Sequence, residues 1–349
     1  MLTVFFNLSY LLAGLVAMVF NVTSSILQPL IGRWFDRTQA AWILEAGLAL
    51  NCIGMSLVGI SPNYVLLLFL VGTAGLGSAA FHPPGFSAVV KSAQSGKGGA
   101  MGIFLSGGNI VVFLGPVVAG SLMSSFGLSG TLFFLPIGLL VAMLLFRIRR
   151  PEKGKIPPLG SEGNQPANKR LVSLLAAITA LRSVTIQSAV TFLPMFFVAR
   201  GASLFLATTI ASIWLGVAVL GQLGGGFLSD RLGRRSVIVG SLLAGACLFY
   251  GFLITDGILS LFLLGLSGAA LYANWSVIVV MSSEAAPSNV GAVSGFMLGF
   301  FIGIGGVAAL VFGGVADIIG LHSAFLLFAG FAFLGGLLAL FLPKNARLA

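Results

Sequence analysis

Eleven apolar runs, each close to twenty residues long, decide what this chain can become. They fall at roughly 9–31, 40–60, 63–81, 101–123, 129–147, 171–193, 203–226, 236–255, 258–281, 290–313 and 322–342. An α-helix of about twenty residues, rising 1.5 Å at each, crosses a hydrocarbon core of about 30 Å. Lipid offers no water to backbone N–H and C=O groups, so only helices and closed barrels span it. A barrel strand alternates apolar and polar residues over about ten positions. These runs are twice that length and do not alternate, so the expectation is an all-α membrane protein. Composition agrees. Charged residues make up 7% of the 349, against about 25% in a soluble domain, and mean hydropathy is +1.10. The 48 Gly suit helices that approach closely in a membrane.

A net charge of +10 invites a nucleic-acid reading. That reading fails, because the basic residues sit in short loops between spans. All the Lys and Arg except Arg182 and Arg200 fall on one side of the predicted topology. The positive-inside rule makes that side cytoplasmic, with the C-terminus, and places the N-terminus outside. Residues 1–31 lack a basic n-region and show no cleavable signal peptide. Cys52 and Cys247 lie mid-span and suggest apolar packing, not a disulfide. The stretch 148–170 is rich in Pro, Gly and charge, as a flexible connection is. It divides the chain into a bundle of five spans at 1–147 and one of six at 171–349.

The two parts repeat at an offset near 193. Gly32-Arg33-Trp34-Phe35-Asp36-Arg37 matches Gly226-Phe227-Leu228-Ser229-Asp230-Arg231. Gly120 and Phe126-Gly127-Leu128 match Gly313 and Ile319-Gly320-Leu321, and Gly102 matches Gly295. Both copies run in the same direction. Parallel repeats belong to transporters whose two bundles rock about a central site.

GFLSDRLGRR (226–235) resembles the loop signature of the major facilitator superfamily, and the resemblance covers essentially the whole chain. Gly115-Pro116 resembles the family's antiporter-associated motif. SSILQPLIGRWFDR (24–37) and GLGSAAFHPPGFSAV (75–89) are similar to the fosmidomycin-resistance group of efflux proteins. The resemblance implies a two-bundle fold and secondary transport, with proton-coupled efflux of a drug-like or anionic compound in a bacterial-type inner membrane as the expectation. Against the six spans of the second half, the first family span has no counterpart in the first. An upstream reading frame encoding that span is therefore expected.

Several residues stand out as candidates for chemistry. The resemblance makes Gly32, Asp36, Arg37, Gly226, Asp230, Arg231, Gly233 and Arg234 a cytoplasmic gating latch. In this reading each loop Asp sits near a helix N-terminus and pairs with Arg of its own loop. The plainer reading is solvated charge that sets topology. Arg182 lies near mid-membrane, where a charge costs at least about 2.5 kcal/mol. It stays protonated, so it cannot carry a transported proton. It can hold a carboxylate or phosphonate, or serve a structural ion pair. Gln187, Asn109, Asn274 and Trp275 are the other expected substrate contacts. His82, before Pro83-Pro84, is a candidate proton relay, or else a pin for a helix broken by those prolines. Asp256, Asp317 and His322 are expected in exposed loops.

Other function classes fit less well. With two His far apart and few acids at depth, no metal set or catalytic triad is visible, so an enzyme is not expected. No cofactor is implied, and no phosphate loop followed by Lys-Ser/Thr supports nucleotide hydrolysis. Uptake or exchange of a small organic anion, or a membrane sensor that does not transport, are the alternatives to efflux.

Overall fold

The computed structural model describes residues 8–38, 40, 42–92, 97–148, 167–286 and 290–343. The first half holds α1 (Tyr10–Thr38), α2 (Trp42–Leu57), α3 (Tyr64–Ser92), α4 (Lys97–Phe126) and α5 (Phe134–Ile148). The second half holds α6 (Lys169–Ala199), α7 (Leu204–Leu232), α8 (Arg234–Ile254) and α9 (Gly257–Ala273). It continues with α10 (Trp275–Glu284), α11 (Val290–Ile319) and α12 (Leu321–Leu338). Ten stretches among the described residues are long and apolar enough to cross a membrane. One of them, Phe113–Ile148, contains the expected span 129–147 and the end of 101–123. A 3₁₀ segment, Gly127–Phe133, separates α4 from α5 there.

Local chemistry sets the ends of these helices. Asn168 caps α6 by accepting from Leu171 N at 3.0 Å, and Ser203 caps α7 by accepting from Leu206 N at 3.2 Å, each satisfying one orphan donor of a first turn. Gly233 joins α7 directly to α8 at φ +83, a left-handed conformation that favours glycine. The repeat reappears in these ends. Gly127 and Gly320, matched in sequence, both have positive φ just past a long helix.

Within the first half, α3 packs against α1 and α2, and α5 against α2. In the second, α6 packs against α11 and α12, while α9 packs against α7 and α8. Rings from four helices fill its interior: Phe192 and Phe196 of α6, Phe249 and Phe252 of α8, Phe312 of α11, and Phe325 and Phe328 of α12. Phe312 is central, with ring centroids 4.8 Å from Phe192, 4.7 Å from Phe325 and 4.9 Å from Phe328.

Among the described residues, the main contacts between the halves are made by two helix pairs, α1 with α11 and α4 with α7. They are the two copies of one contact, because the matched glycines Gly120 and Gly313 both lie in it. A Cβ on Gly120 would strike Thr208 of α7, and one on Gly313 would strike the Tyr10 backbone of α1. These contacts are tight at the end of the molecule opposite the basic loops, called here the far end. Gly14 leaves no room against Ala309 there. Toward the basic end they loosen. Cβ atoms at Gly303 and Gly299 would stand 3.6 and 3.8 Å from Ser25, and at Gly108 and Gly224 they would meet nothing within 4 Å. Among the described residues the halves therefore touch most closely at the far end and less closely toward the basic end.

Three expectations need correction. Pro83-Pro84 does not break the helix, because α3 runs on to Ser92. A helix in lipid tolerates proline where neighbours re-satisfy the freed carbonyls. The two signature stretches do not open loops either. Residues 32–37 and 226–231 sit in the final turns of α1 and α7, since the α-helix outlasts its apolar run. Asp317 and His322 likewise lie on α11 and α12.

Candidate functional site

The site is built around a buried cation. Arg182 of α6 has no exposed surface, and its guanidinium carbon lies 5.0 Å from the Trp275 and Phe301 ring centroids and 5.9 Å from that of Tyr272. Cation–π attraction of this kind is worth about 2 kcal/mol when desolvated. Nη2 donates to the Leu271 carbonyl at 3.2 Å. Among the described residues, Nε and Nη1 have no hydrogen-bond partner, and no acid forms an ion pair with Arg182. Leaving charged donors unpaired in an apolar interior is costly.

The Leu271 carbonyl lies in the last turn of α9, where carbonyls lose their helical donors. It also accepts from Asn274 Nδ2 at 3.0 Å, and the same amide donates to Ser241 Oγ at 3.1 Å. Asn274 is the one residue between α9 and α10, is fully buried, and its Oδ1 is unpartnered. Arg182, Asn274 and Trp275, all expected from sequence, are thus brought together. The side chain of Gln187 fills the space over Gly305 of α11, one helical turn beyond Phe301.

Sequence reasoning missed a polar stripe on α1. Asn21, Ser24, Ser25 and Gln28 recur at helical spacing. Asn21 packs on Gly306, and Ser25 stands beside Gly303. Ser24 bonds Ser78 of α3 at 3.1 Å. Ser25 Oγ and Gln28 Nε2 are buried with no partner among the described residues. Polar residues three and four apart inside an apolar run were the available signal. This stripe and Gln187 meet α11 at its adjacent glycines, Gly306 and Gly305.

The remaining candidates are scattered. His82 is half-buried on α3, edge-on to Phe81 with centroids 5.6 Å apart. Pro116 stays inside α4, and a Cβ on the preceding Gly115 would meet nothing within 4 Å. At the basic end, Asp230 and Arg231 are exposed, and among the described residues neither forms an ion pair. Arg234 pairs with Glu284 at the end of α10, so the signature is tied to another helix. The side chains of Gly32, Asp36, Arg37 and Asn109 lie outside the described residues. No cluster of metal-ligating side chains occurs among the described residues, and both cysteines are free.

Comparison with known proteins places this arrangement. The model of the Major Facilitator Superfamily matches residues 1–309 and 175–348. The fosmidomycin resistance protein of Escherichia coli (strain K12) is 30% identical over 97% of this chain and 86% of its own length. An uncharacterized MFS-type transporter of Bacillus subtilis (strain 168) is 28% identical over 98% and 86%. Among solved structures, a bacterial homolog of the human lysosomal transporter Spinster, inward-facing and occupied, superposes with TM-score 0.82 at 18% identity. That match covers 97% of this chain and 90% of the other.

Proposed function

The chain belongs to the Major Facilitator Superfamily, and on that premise we propose that it exports a small anionic, drug-like compound by alternating access, coupled to protons. It is a multi-pass membrane transporter and not an enzyme. In this reading the basic end faces the cytoplasm, following the positive-inside rule. The looser contact of the halves toward that end then makes the state inward-facing. The gating role of Asp36, Arg37, Asp230, Arg231 and Arg234 is part of the same proposal, as is the antiporter motif at Gly115-Pro116.

The observation that carries the reading is Arg182. A permanent cation is enclosed at membrane depth with two donor nitrogens unpartnered and no acid paired to it among the described residues. An anionic group supplied by the cargo satisfies it. The ring faces of Tyr272, Trp275 and Phe301 favour a cargo with an apolar body. The relative named for fosmidomycin resistance supports a drug-like cargo and efflux as its direction.

The test is a resistance panel in an efflux-deficient host, including a phosphonate antibiotic. Arg182→Gln at equal expression should lower transport at least about tenfold, the worth of a charge-assisted hydrogen bond of roughly 1.5–3 kcal/mol. Unchanged transport by that variant removes the assignment. Substrate-dependent proton movement in inverted vesicles checks coupling, and its absence leaves uptake or exchange of an organic anion as the reading.

A further inference from the structure

The far end holds an interaction between the halves that the site does not explain. The first N–H groups of any α-helix have no partner within it. In α1, Ser9 Oγ accepts from Leu12 N at 3.3 Å. The two preceding amides are taken by the other half of the molecule. Tyr10 N donates to Asp317 Oδ1 and Leu11 N to Asp317 Oδ2, each at 2.8 Å. Asp317 sits in the last turn of α11, so one carboxylate caps a helix of the opposite bundle with both oxygens. The positive end of the α1 dipole adds to the attraction.

The repeat makes this contact informative. At the offset of 193, Asp317 matches Ser124 of α4, an exposed residue. The α7 N-terminus opposite it is capped from within its own chain segment, by Ser203. Two pseudo-equivalent helix pairs close the far end, and among the described residues only one of them carries a carboxylate across the junction. Packing alone therefore suffices to build such a pair, and the acid at α1–α11 does something additional.

We propose that Asp317 is a latch on the far-closed state. Its carboxylate holds α1 and α11 together at that end, and the bonds to Tyr10 and Leu11 must break each time the far end opens. The latch acts on the balance between the two access states and leaves the Arg182 site untouched. It holds whether or not the cargo is anionic.

The test measures far-end separation with spin labels at Ile60→Cys and Ile258→Cys, in a background where Cys52 and Cys247 are replaced by Ala. Both label positions are exposed at that end, 53% and 87%, and neither touches the latch. In proteoliposomes the parent should show one dominant short distance. Asp317→Asn should raise the ratio of long to short distances roughly tenfold, as loss of a charged acceptor implies. Leu11→Pro deletes one bond from the other partner and should act in the same direction, because proline is tolerated in a first helical turn. Distances unchanged in both variants overturn the latch, and if one variant fails to fold the other decides. Hydrogen exchange on the unaltered chain gives an independent check. Amides of Tyr10 and Leu11 should be protected despite lying in a first turn, and exchange at the unprotected rate overturns the latch as well.

Discussion

The two halves of the chain repeat each other's turns but not each other's interiors. In the second half α6 runs through the middle, with α11 and α12 packed on it. Those two helices bury Phe312, Ala316, Phe325 and Phe328. Among the described residues of their counterparts, α4 and α5, the buried apolar side chains are Met123 and Ala142. Of the largest fully buried side chains among the described residues, only Leu67 comes from the first half. Among the described residues no helix of the first half fills the place that α6 takes in the second. Turns and cross-half contacts are local features that a repeat preserves residue by residue. A core is a property of the whole bundle and depends on its central helix.

Single substitutions can break this comparison or sharpen it. The largest effect should come from Phe325→Ala. This ring is 1% exposed and packs on Phe312, so truncation should cost about 3–5 kcal/mol, read by thermal unfolding in detergent. Phe146→Ala on α5, where the ring is 57% exposed, should shift stability by no more than about 0.5 kcal/mol. Equal losses would show that the first half has a core after all. Next is Gly14→Ala, whose new methyl meets the Ala309 carbonyl and should cost about 1–3 kcal/mol by overpacking. Gly115→Ala, facing open space, serves as the neutral comparison in the same unfolding assay. A smaller effect than that of Gly14→Ala is expected of Glu284→Gln. Its pair with Arg234 is partly exposed, at 38% and 28% of the two side chains, and such pairs are worth about 0.2–1 kcal/mol. Restoration by a charge-swapped double variant would confirm the pairing.

Much of this fold was legible in the sequence, for a physical reason. Lipid forces each span to advertise itself as about twenty apolar residues, and left-handed turns select glycine, so Gly127 and Gly320 marked the repeat. The failures share a cause as well. Pro83-Pro84 reads as a helix end by rules learned in water, yet α3 continues through it. The ring cage of Arg182 was only partly readable. A charge at depth announces its cost, but α9 and α11 are apolar on nearly every face, so periodicity does not say which ring turns inward. The contact of Asp317 with Tyr10 joins residues 307 positions apart, and nothing local encodes it.

The broken passage at Asn274 has a final consequence for charge. Leu271, in the last turn of α9, presents its carbonyl to Arg182. A carbonyl dipole steadies a guanidinium without cancelling it. A carboxylate in the same place would neutralise the cation outright and would itself take up protons. A carbonyl does neither. Among the described residues, Arg182 thus keeps its charge beside a partner that takes up no proton.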